Sequence, residues 1–133
     1  MTSIYGKARP RSEVRRLYQS LWEVIYQHLV LICAWPEHRD VPHWKLEVEA
    51  AVERLSRLKL KRSKRGPDRK TLLDWLDEYY PVERRVLRLT IRVLQRQKEL
   101  PEPRPLVDVQ RCVDEKQERI IRFLAREAED LEI

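Results

Sequence analysis

The sequence predicts an all-α chain, an antiparallel bundle of four to five helices. Two observations carry that expectation. Apolar residues recur at three- and four-residue spacing in successive stretches, and alternating β-branched runs bounded by turns do not occur. At 133 residues the length prior is one domain spanning 1–133, with a flexible basic arm over 1–11 and a Pro-rich connection over 101–105.

Val14, Leu17, Leu21, Val24, Ile25, Leu29 and Ile32 form the stripe of the first helix, with Ser12 placed to cap its start and Pro36 to stop it. Its second half turns apolar all round, which predicts the most buried, central element. Asp40 and Pro42 signal a second start. Trp44, Val48, Ala51, Val52, Leu55 and Leu58 then make one face of a helix that runs into a basic tail. Arg65–Asp68 reads as a turn, and Thr71 with Asp74 resembles a capping box opening a short helix through Leu72, Trp75, Leu76 and Tyr79, with Pro81 at its end. From Val82 to about Leu100 two stripes, Val82, Val86, Leu89, Val93 and Leu87, Ile91, Leu94, predict a wide buried face. Pro101, Pro103 and Pro105 give a stiff spacer before a last helix with Val109, Val113, Ile120, Leu124, Ala128 and Leu131 inward.

Composition excludes several classes of function. Gly6 and Gly66 are the only glycines, too few for the phosphate-cradling loops of Rossmann and P-loop folds. The longest apolar run, Leu29–Trp35, is too short to cross a bilayer, so no membrane role is expected. Cys33 and Cys112 lie far apart without CxxC spacing, which points to reduced thiols in a cytoplasmic protein rather than a disulfide framework.

Charge is the most informative feature. The chain carries 28 Lys and Arg against 22 Asp and Glu, a formal net charge of +6. Arg54, Arg57, Lys59, Lys61, Arg62, Lys64, Arg65, Arg69 and Lys70 are nine bases facing the single acid Asp68. Such density suits the regularly spaced phosphates of nucleic acid, bound without sequence readout, or else a solvated loop and frayed helix end. A second candidate nucleic-acid contact, Arg84, Arg88, Arg92 and Arg96, climbs one helix at four-residue spacing beside Arg85 and Lys98. The eight acids of residues 106–133 offer this ladder interhelical salt bridges, the plainer reading. Tyr5, Trp75, Tyr79 and Tyr80 are candidates for base stacking, although aromatics at helical spacing usually serve the core. Asp74, Asp77 and Glu78 oppose a DNA-reading helix after Gly66.

Chemistry-bearing residues are sparse. Cys33, His38 and His43 sit at five-residue intervals, a spacing that favours a buried thiol and connection histidines over a metal site. His28 reads as a satisfied core histidine rather than a general base, with no nucleophile identifiable beside it. Glu47, Glu49 and Glu53 read as ordinary helix solvation. Neither catalytic residues, metal nor cofactor are expected.

Arg15, Arg16 and Leu17, then Ser20 and Leu21, His28 and Leu29, Pro36, Glu37 and Arg39, and finally His43, Trp44 and Val48 form a pattern over the first half of the chain. It resembles the bacterial helical family named domain of unknown function 29. Val30 departs from that family's His-Leu-Leu helix end, and the run from Lys59 to Arg65 replaces its serine turn. The resemblance implies a helical fold and no assigned activity, with structural roles for His28, His43 and Trp44, the last packing over Trp35. The expected function is a non-enzymatic helical module binding nucleic acid through backbone charge, as a small subunit of a nucleoprotein complex. The alternative is an interaction module that docks acidic partners or self-associates.

Overall fold

The computed structural model describes residues 8–61, 65–79 and 84–133, the side chains of Glu78, Tyr79 and Arg84 excepted. Among these residues five helices form: α1 (Arg11–Ala34), α2 (Val41–Ser56), α3 (Arg69–Tyr79), α4 (Arg84–Gln97) and α5 (Leu106–Leu124). Two short strands, β1 (Ala8–Arg9) and β2 (Lys59–Leu60), pair in parallel. The all-α expectation holds, with this ribbon as its one addition.

α1 is the central element. Its apolar second half is buried without a break from Leu29 to Trp35, and α2, α3, α4 and α5 all pack against it. Tyr18 donates its hydroxyl to the Leu55 carbonyl at 3.2 Å, tying α1 to the end of α2, and burial raises its pKa far above that of a free phenol. α1 begins one residue after Pro10, which takes the N-cap position without a side-chain bond, so Ser12 lies inside the helix rather than capping it. Asp40 and Pro42 open α2 as expected.

Asp68, not Thr71, caps α3: its Oδ1 accepts the Thr71 N–H at 2.9 Å, which places Thr71 at the third helical position. On α4 a single stripe, Leu87, Ile91 and Leu94, is buried. Leu89 and Val93 stand 53% and 51% exposed, so the wide buried face is not formed. α1 and α5 supply the principal packing of α4, and they cover only one side of it. Pro81 and Val82 lie outside the described residues.

Glu99 and Arg126 end α4 and α5 in left-handed backbone, at φ 53° and 61°. Beyond Leu124 the chain leaves the helix, and Ala128 and Leu131 are half-buried rather than part of an inward helical stripe. The Pro-rich connection is pinned to the end of α1. Arg104 donates its N–H to the Ala34 carbonyl at 3.0 Å, and the Trp35 indole donates to the Pro101 carbonyl at 2.8 Å.

Cys33 and Cys112 form a disulfide with Cα atoms 5.7 Å apart, against the expectation of reduced thiols. Their sequence separation of 79 says nothing of distance in space once α5 packs beside the end of α1. No helix among the described residues is long and apolar enough to cross a membrane.

Candidate nucleic-acid interface

The basic segment after α2 is built on alternation. Leu58 is fully buried, Lys59 exposed, Leu60 half-buried against the core and Lys61 exposed, the period of a strand with one face on the core. β1 supplies the partner: Ala8 pairs with Lys59, Arg9 with Leu60, and Lys61 donates its N–H to the Arg9 carbonyl at 2.7 Å. Residues 8–11 are therefore strand and helix start rather than a flexible arm. Leu60 donates to the Arg65 carbonyl at 2.6 Å, closing the loop, and buried Pro67 leads into α3.

This frame brings Arg11, Lys59, Lys61, Arg65 and Lys70 to one exposed corner where the ribbon meets the starts of α1 and α3. Asp68 sits among them. The Thr71 hydrogen bonds hold its carboxyl below the usual carboxylate range, helped by nearby Arg11 and Lys70. Arg11 lies 5.6 Å from the centroid of the Trp75 ring, a cation–π contact that the sequence reading missed.

The remaining predicted bases divide. Arg54 is exposed on the last turn of α2, whereas Arg57 pairs with Glu53 on its own helix. Arg69 turns away from the corner and binds Glu118 of α5 and, at 3.1 Å, Glu127. The hydrogen bond that Arg69 donates to Glu118 raises the guanidinium pKa further. Arg62 and Lys64 lie outside the described residues.

The arginine ladder is separate. On α4, Arg88, Arg92 and Arg96 are exposed beside Arg85 and Lys98, and among the described residues none of them meets a carboxylate at salt-bridge distance. Arg84 begins the helix, its side chain outside the description. Of the acids of the last segment that were expected to neutralise this ladder, Glu118 and Glu127 engage Arg69 instead.

Among the stacking candidates, Trp75 is buried with its ring edge-on to Tyr18 at 5.5 Å, so it belongs to the core. Tyr5, Tyr80 and the side chain of Tyr79 are outside the description. Cys33 is committed to its disulfide. His38 stacks on Trp44 at 4.9 Å and accepts the Asp40 N–H, so His38 rather than Trp35 is the ring partner of Trp44. His43 faces Glu47 at 3.8 Å. His28 is half-buried and bonded to the Val24 carbonyl at 2.7 Å, a local role at the edge of the core.

No three His, Cys, Asp or Glu side chains converge on a metal-sized site among the described residues. A cleft of about 680 Å³ opens between Trp35–His38 and Pro101–Arg104, where the indole N–H and the His38 Nδ1 already have protein partners.

No family model, curated protein or solved structure matches this chain. The likeness to domain of unknown function 29 thus rests on the residues quoted for it alone.

Proposed function

We propose that the chain is a non-enzymatic helical module that binds nucleic acid through backbone charge, as a small part of a nucleoprotein complex. The observation that carries this reading is the corner of Arg11, Lys59, Lys61, Arg65 and Lys70, held in place by the β1–β2 ribbon with Asp68 as the acid in its midst. Bases fixed on a folded frame displace condensed counterions without first losing chain entropy, and they need no base readout to do so. The histidines and cysteines with catalytic chemistry are engaged in packing, hydrogen bonds or the disulfide, which favours binding over catalysis. Fluorescence anisotropy with a labelled oligonucleotide at low salt tests the reading. Binding that the combined Lys59→Gln, Lys61→Gln and Lys70→Gln changes weaken at least tenfold is expected. Absence of binding by the parent at low salt overturns it.

A second reading, a protein-interaction module, is favoured by Leu89 and Val93, exposed among arginines on α4. Phosphates offer such side chains nothing to bury. A cytoplasmic setting belongs to the main proposal, and the Cys33–Cys112 disulfide stands against it. Thiol alkylation in rapidly quenched cells checks it: a fully oxidised pair overturns that setting and leaves the binding reading in place.

A further inference from the structure

We infer that the outer face of α4 is a self-association surface whose occupant is the outer face of α2 from a second copy of the chain. With Leu87, Ile91 and Leu94 turned inward, the helical repeat sets two adjacent stripes on the solvent side. One is apolar, Leu89 and Val93; the other is cationic, Arg92 and Arg96, continued by Arg85 and Arg88. A surface of this kind fits a partner that brings carboxylates and apolar side chains together.

The chain itself carries such a surface. On α2, with Trp44, Val48, Val52 and Leu55 buried, Leu46 is 61% exposed and Ala50 is exposed one turn on. Glu49 and Glu53 lie alongside. Glu49 has no cationic partner among the described residues, and Glu53 meets only Arg57 of its own helix.

The registers match. In α2 the charged pair follows the apolar pair by three residues, Leu46 to Glu49 and Ala50 to Glu53. In α4 it does the same, Leu89 to Arg92 and Val93 to Arg96. Both helices therefore carry the charged stripe on the same hand of the apolar one. Facing each other antiparallel, they appose Leu46 and Ala50 to Val93 and Leu89, and Glu49 and Glu53 to Arg96 and Arg92. A parallel docking sets charge against apolar. Because the two faces differ, repeated contacts close a ring, propagate, or join two copies reciprocally.

Sedimentation equilibrium of the full chain over a concentration series, at low and high salt, reads the outcome. The expected result is a weight-average mass that rises above 16.2 kDa with concentration and falls back as salt screens the ion pairs. Arg92→Glu with Arg96→Glu, and separately Glu49→Arg with Glu53→Arg, should each hold the chain at monomer mass. Mixing the two variants should restore association, since each retains the face the other needs and the reversed faces also match. Circular dichroism confirms that each variant folds, and Arg92→Gln with Arg96→Gln replaces the reversal if it does not. A parent that stays monomeric overturns the inference, whether or not it binds anionic vesicles in a parallel flotation assay. So do single variants that associate like the parent, or a mixture that stays monomeric. Leu89→Ser with Val93→Ser removes the apolar stripe and keeps every base of the chain, so lost association alongside undiminished oligonucleotide binding in that variant separates this inference from the nucleic-acid reading.

Discussion

At Arg126 and Glu99 a side chain occupies backbone that disfavours a Cβ, because each residue reverses the chain at a helix end. Arg126→Gly and Glu99→Gly should each stabilise the fold by roughly 1 kcal/mol, read as a higher midpoint in urea, since relief of the left-handed penalty exceeds the added freedom of the unfolded chain. Asp68 gives a pH test. Its carboxyl is held below the ordinary value of 3.8 by Thr71, so the stabilisation is fully present above that value and is lost as pH falls through the lower folded one. Asp68→Ala should therefore lower Tm at neutral pH, and the gap from the parent should close on acidification; a gap that persists in acid contradicts the assigned cause. This cap was hard to read in the sequence because Asp68 and Thr71 both suit the first position of a helix. Propensity alone does not choose between starts three residues apart, and the buried Pro67 and the closed loop before it make the choice.

The helices themselves were legible, because each carries a periodic apolar stripe, and the burial of α1 followed from the unbroken run at its end. What periodicity does not report is how much of a stripe a neighbour reaches. Leu89 and Val93 repeat as regularly as Leu87, Ile91 and Leu94, yet only the latter meet the core. The ribbon escaped notice because Leu58 to Lys61 alternates over too few residues to stand out against a helical tail, and its partner lies at the other end of the first helix. The disulfide was equally invisible, since it depends on α5 returning to the end of α1. Its sequence separation of 79 makes a long loop, and cross-linking a loop of that length limits the unfolded ensemble by about 4.5 kcal/mol. Reduction, or Cys33→Ser with Cys112→Ser, should lower stability by an amount of that order in denaturant titrations. An unchanged midpoint contradicts a bridge that constrains the chain.

Across the whole molecule, the surplus of positive charge read from composition is not spread evenly once the chain folds. Part of it is consumed internally, as in Arg57 with Glu53 and Arg69 with Glu118 and Glu127. Elsewhere, exposed bases gather at the ribbon corner and on α4, and the first presents charge while the second mixes charge with exposed apolar side chains. The corner was half legible: its lysines were chosen from sequence, but Arg11 was not, because the first helix begins far from them in the chain. The salt dependence of oligonucleotide binding tests the central claim most directly. If the five bases of the corner each displace a counterion, log K falls against log salt with a slope of roughly −4.5 on duplex DNA, and each Lys59→Gln, Lys61→Gln or Lys70→Gln change makes it shallower by about 0.9. A slope near zero, or one that these changes leave untouched, contradicts the account.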